Sequence, residues 1–133
     1  MKVYDKIFKS TETKEEKYQL ASGYISTTTV FFEEENIVAK IEAKGEVVFF
    51  DGDDTELAAV QMPEQSGGRE VYEDVICSVE TGNIMLKFPI VKWIDNYPHC
   101  DGEHDRWDSQ IIGWHILCFD TKTKDITVEN NEN

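Results

Sequence analysis

The stretch YPHCDGEHDRWD, residues 97–108, gathers the side chains in this chain best suited to chemistry: His99, Cys100 and His104, interleaved with Asp101, Glu103, Asp105 and Asp108. Imidazole and thiolate are zinc ligands, and a nearby carboxylate would complete a tetrahedral set. The spacing argues against it. His99 and Cys100 are neighbours, so in an extended segment they point apart, and no Cys-x-x-Cys or His-Glu-x-x-His pattern occurs in the chain. The four carboxylates would suit calcium or magnesium, but EF-hand spacing is absent. The expectation is no metal and no cofactor, with His99, Cys100 and His104 as the alternative site of a metal-dependent enzyme. The same residues also make an ordinary solvated loop, Asp95–Asp108, pinned by Tyr97 or Trp107. Loops this long in compact domains usually carry function, so the stretch reads first as a contact surface.

Within it, Pro98-His99-Cys100-Asp101-Gly102-Glu103-His104 resembles the second half of the iron–sulfur signature of CDGSH proteins. The resemblance covers seven residues and implies Cys100 and His104 as cluster ligands. The Cys-x-Cys that precedes them in that family is replaced here by Pro89 and Val91, and Glu103 stands where a small residue belongs. One cysteine and one histidine do not hold such a cluster. No membership is assigned.

Catalytic chemistry has little else to stand on. A Cys–His couple from Cys100 with His104 or His115 has no orienting third group at a recognisable spacing, and there is no Walker, GxSxG or glycine-rich phosphate sequence. His115 sits beside Trp114 in an apolar run, which suits a core histidine, and Cys118 reads as packing. Trp93, Trp114 and His115 are the candidate lining of a small-molecule pocket between sheets.

The other notable pattern is charge. The chain has 27 acids and 13 bases, net −14 over 133 residues. Residues 1–20 hold five lysines and four acids, so the remainder carries 23 acids and 8 bases. Such a surface repels nucleic acid and anionic lipid and steers toward basic partners. The acids concentrate at two predicted hairpin tips, Glu33, Glu34 and Glu35, then Asp51, Asp53 and Asp54. Should both tips project from one end, their carboxylates would imitate the spaced charge of a nucleic-acid backbone. Two ordinary solvated tips are the plainer reading.

Strand signals dominate the elements that must position these groups. The pattern predicts strands over Lys2–Phe8, the Thr-rich residues 23–32, residues 37–43, 46–50, 56–62, 71–79, 84–94, 111–119 and a short last one. Lys14–Leu20 is allowed a turn or two of helix. Pro63–Arg69 reads as a flexible loop. The apolar phase slips beside Pro89, from Ile84, Leu86, Phe88 and Ile90 to Val91 and Trp93, which predicts a β-bulge or an edge position. IIGWHILCF, residues 111–119, is apolar on both faces and reads as a central strand.

The fold expected is all-β: one domain over residues 1–133, with about 129–133 a frayed tail. Eight or nine short strands would form an antiparallel meander, closed as a barrel or stacked as a two-layer sandwich. Three cysteines without a signal-peptide pattern suit reduced thiols and a cytoplasmic address. The functional expectation is a non-enzymatic binding protein of inhibitor or immunity type. It would occlude the basic site of a nuclease or other nucleic-acid-handling partner, without binding nucleic acid or membrane itself. Glu33, Glu34, Glu35, Asp51, Asp53 and Asp54 would make the contact, with Tyr97 and Trp107 as anchors.

Overall fold

The computed structural model describes residues 3–23, 26–65, 71–95 and 107–132. They form ten strands and no helix: β1 (Lys6–Phe8), β2 (Glu15–Gln19), β3 (Thr27–Phe32), β4 (Ile37–Glu42), β5 (Glu46–Asp51), β6 (Glu56–Gln61), β7 (Asp74–Glu80), β8 (Asn83–Asp95), β9 (Trp107–Asp120) and β10 (Ile126–Glu132). One sheet runs β1-β3-β4-β5-β6 and the other β10-β9-β8-β7-β2. Both have open edges and stack face to face, so the architecture is a sandwich and not a barrel.

The inner faces alternate as a half-buried pleat requires. Val30, Phe32, Ala39, Ile41, Val47 and Phe49 from the first sheet meet Val75, Cys77, Ile84, Leu86, Phe88, Leu117 and Phe119 from the second. The layers lock where Phe49 stacks on Phe119, ring centroids 4.2 Å apart and nearly parallel. Thr28 is buried among them because its hydroxyl accepts the Ala21 N–H at 2.8 Å, which removes the penalty of an unpaired polar group.

Four expectations are corrected. Residues 14–20 are not helical. Glu, Lys and Gln favour helix locally, but Glu15–Gln19 pairs with β7 and turns Tyr18 toward the core, so tertiary pairing overrides propensity. The first strand starts at Lys6 and pairs parallel with β3, so the chain is not a plain antiparallel meander. The strands number ten, and two of them, at 13 and 14 residues, are long. The expected frayed tail is strand: Glu129–Glu132 stand opposite Ile116–Gly113 of β9.

The bulge beside Pro89 is present. The β8–β9 register slips between Ile90 and Val91, leaving Ile112 extra on β9. The edge is present too, since β7 pairs with β8 only as far as Lys87. Beyond it the Val91 N–H donates to the buried Gln65 side chain at 3.2 Å. Pro89, two residues earlier, shares that edge by the pleat's repeat, where a missing donor costs nothing.

Candidate functional site

The turns after β3 and after β5 lie at the same end of the first sheet, because Ile37 stands opposite Asp51. Each tip is built by short polar groups. At the first, Asn36 takes a left-handed φ of 55°, which Asn tolerates better than most residues, and its N–H returns to the Glu33 carbonyl. Glu35 accepts from the Ser10 hydroxyl at 3.1 Å, tying the tip to the segment after β1. At the second, one Asp51 carboxylate oxygen accepts the Asp53 and Thr55 N–H groups at 2.8 and 2.9 Å, an Asx-type turn. The tips touch. A Cβ on Gly52 would collide with the Asn36 side-chain amide, so the absence of a side chain at 52 lets Asn36 seat against the neighbouring turn.

The six predicted carboxylates therefore share one end, with unequal duties. Glu33, Glu34, Asp53 and Asp54 are exposed. Glu35 and Asp51 are half-buried and hold the turns together. The second sheet brings its own turns to this end. The short 9–14 segment carries the chain from the end of β1 to the start of β2, beside β7. Thr121 at the β9–β10 turn bonds the Gly82 carbonyl at the β7–β8 turn, hydroxyl to oxygen 2.7 Å. Asp120 accepts the Thr123 and Lys122 N–H groups, which holds its carboxyl below the usual carboxylate range. Segments 9–14, 33–36, 51–55 and 120–125 together hold nine acids and four lysines, Lys9, Lys14, Lys122 and Lys124. Lys9 pairs with Glu12 at 3.9 Å, and Lys124 donates to the Thr121 carbonyl.

The aromatic anchors are elsewhere. Trp107 is not in a loop. It opens β9 opposite Asp95, and Tyr97, with His99, Cys100 and His104, lies outside the described residues. β8 starts at the acidic end and runs thirteen residues away from it, about 40 Å at strand rise. Trp107 and the acidic tips therefore occupy opposite ends and do not form one surface. Sequence reasoning missed the apolar group that does adjoin the tips. Tyr4 stacks on Phe31 at 4.6 Å, Ile7 beside it is exposed, and the Lys40 ammonium sits 4.7 Å over the Phe50 ring. The parallel β1–β3 pairing creates this group, and no local pattern announces such a pairing.

The alternative pocket is not assembled. Trp114 and His115 are consecutive in β9, so they project to opposite faces. His115 is buried, its ring edge-on to Tyr72 at 6.1 Å, while Trp114 faces outward. Trp93 pairs in β8 with Ser109. A hollow of about 480 Å³ lies instead beside Ser10, Lys14, Glu15, Glu80 and Lys87. No thiol is activated among the described residues: burial pushes up both Cys77 and Cys118, and Asp120 and Glu129 add to it at Cys118. Among the described residues no three His, Cys, Asp or Glu side chains converge as metal ligands. Comparison with protein-family models, with curated proteins and with solved structures returns no match.

Proposed function

We propose that this chain is a binding protein of inhibitor or immunity type, whose acidic end covers the basic site of a nucleic-acid-handling protein. The observation that carries the reading is the contact between the two acidic turns. Asn36 seated on Gly52, with Glu35 held by Ser10 and Asp51 by its own turn, presents Glu33, Glu34, Asp53 and Asp54 from a braced platform. Braced turns lose little backbone freedom on binding, and the spacing of carboxylates along two adjacent turns offers an Arg/Lys groove what a phosphate backbone offers. The exposed Ile7 and the Tyr4–Phe31 stack next to the tips supply apolar contact of the kind that anchors charged interfaces. They take the role earlier expected of Tyr97 and Trp107.

The test is affinity capture from the native host on immobilised protein, with a salt gradient for elution. A basic protein should elute as salt rises from ~50 to ~200 mM, as charge-dominated contacts do. A variant with Glu33→Gln, Glu34→Gln, Asp53→Asn and Asp54→Asn should fail to hold it. Equal capture by that variant sinks the proposal.

A further inference from the structure

An open sheet ends on strands whose free N–H and C=O groups invite a further strand, and proteins blunt such edges with charge, proline or brevity. Three of the four outermost strands here are blunted. β1 has three residues, and its Ile7 carbonyl already accepts the Tyr18 hydroxyl at 3.4 Å. β2 sets Glu15, Glu16 and Lys17 side by side, and β10 closes on Glu129, two asparagines and Glu132. β6 is the exception. Leu57–Val60 carries no charge and no proline, and among the described residues β6 pairs only with β5. A bulge leaves Leu57 extra between the pairs Phe49–Ala58 and Phe50–Glu56, so the regular edge is residues 58–61. Its free groups can be assigned. The Met62 N–H donates to the facing Gly45 carbonyl at 2.8 Å, and hydrogen-bonded pairs alternate along an antiparallel ladder. Ala58 and Val60 therefore bond to β5, while Ala59 and Gln61 turn their N–H and C=O groups to the open side. Both are exposed, and the small side chain of Ala59 lets another backbone come close.

Resting on the reading of the acidic end given above, we infer that the β6 edge takes an extended, basic segment of the same partner as an added strand. Charge and continuity select this occupant. Residues 45–65 hold six acids, Glu46, Asp51, Asp53, Asp54, Glu56 and Glu64, and no lysine or arginine. β10, which lies beside β6 in the second sheet, adds Glu129 and Glu132 and no base. The lysines of β4 and the turn after it are engaged, Lys40 over the Phe50 ring and Lys44 with Glu42 at 3.6 Å. The edge also begins where the acidic end stops, because β6 follows the turn that carries Asp53 and Asp54. A chain segment that leaves an Arg/Lys groove over those carboxylates can run directly along it. Backbone hydrogen bonds then supply affinity, and the surrounding acids favour lysine or arginine side chains. A second copy of this chain would bring the same acids opposite one another, which opposes pairing.

The probe is a short peptide alternating lysine and threonine, and its control is the same peptide N-methylated along its central residues, which keeps the charge and removes the backbone donors. Binding to the intact chain is read by fluorescence anisotropy at ~50 mM NaCl, where charge is least screened, and by amide hydrogen exchange. The chain should bind the first peptide and hold the N-methylated one at least ~10-fold more weakly, as lost backbone hydrogen bonds require. Exchange at Ala59 and Gln61 should be fast in the free chain and slow at least ~10-fold with the peptide bound, while Ala58 and Val60 stay protected throughout. Ala59→Pro removes an outward N–H without touching the bonds to β5, and should weaken the peptide by a similar factor. Ala59→Lys, which leaves the backbone intact and sets a like charge beside the added strand, should weaken it too. Circular dichroism checks that both variants fold. Equal affinity for the two peptides, or unchanged exchange at Ala59 and Gln61, overturns the inference, as does absence of binding at ~1 mM peptide. These readouts follow the edge, whereas capture by the variant lacking four carboxylates follows the tips, so the two readings fail separately.

Discussion

At the scale of single residues, the acidic end depends on an absent side chain. Gly52→Ala places a methyl group where the Asn36 amide sits, and overpacking of this kind costs about 1–3 kcal/mol. Asn36 is at φ 55°, so Asn36→Gly is compatible with the backbone and removes the colliding amide. Urea denaturation should show Gly52→Ala destabilised in the native background and much less so beside Asn36→Gly. Equal cost in both would mean that the two turns do not touch. Titration offers a second check. Burial first, then the nearby Cys77 and Glu16, raises Tyr18 to about 12, and burial raises Tyr72 as well. A folded-state pKa above the unfolded value of about 10 means that this stabilisation is complete below pH ~10 and is lost as pH climbs through the raised value. Absorbance near 295 nm should show Tyr18 and Tyr72 ionising above the ordinary phenol range, together with alkaline unfolding. Asp120 runs the other way: its contribution holds above its ordinary range near 4 and fades as pH falls through its lowered value.

At the scale of elements, the last strand shows where sequence reasoning stops. VENNEN carries no alternation and no apolar pair beyond Val128, so nothing local marks it as strand, yet β9 accepts it as an edge partner through Glu132. Removing residues 129–133 deletes four cross-strand pairs and uncovers part of β9. At about 0.2–1 kcal/mol per pair, four pairs mean that the truncated chain should lose roughly 1–4 kcal/mol in denaturant unfolding. A truncation without effect would restore the frayed tail. Where side chains themselves enforce the pleat, reading was direct. Ile84, Leu86, Phe88 and Ile90 place β8, the slip after them marks the bulge, and the acids of 33–35 and 51–54 mark two turns. Non-local pairing was not legible. The parallel β1–β3 contact and the β2–β7 pairing depend on segments far apart in sequence, and Glu15–Gln19 taken alone favours helix. For the same reason the six carboxylates could be named from sequence, while their division into four exposed and two structural groups could not.

At the scale of the whole molecule, the sandwich is polar along its length. Acidic turns from both sheets close one end, and the β8–β9 ribbon extends past β7 and β10 at the other. The long axis separates Trp107 from the acidic tips, so one partner of ordinary size does not engage both through a standard interface of about 800 Å² per side. The acidic end must then supply its own specificity, through charge geometry and the adjoining Ile7 and Tyr4–Phe31 group. Competition tests this most directly. A partner captured on the immobilised chain at ~100 mM salt is challenged with duplex DNA, and its release is followed by surface plasmon resonance. Mimicry of a nucleic-acid backbone predicts that DNA displaces the partner in proportion to its concentration, and that the Glu33→Gln, Glu34→Gln, Asp53→Asn, Asp54→Asn variant associates far more slowly, since exposed charges chiefly steer encounter. A partner that stays bound while also binding DNA, and associates with the variant at the native rate, would contradict the account.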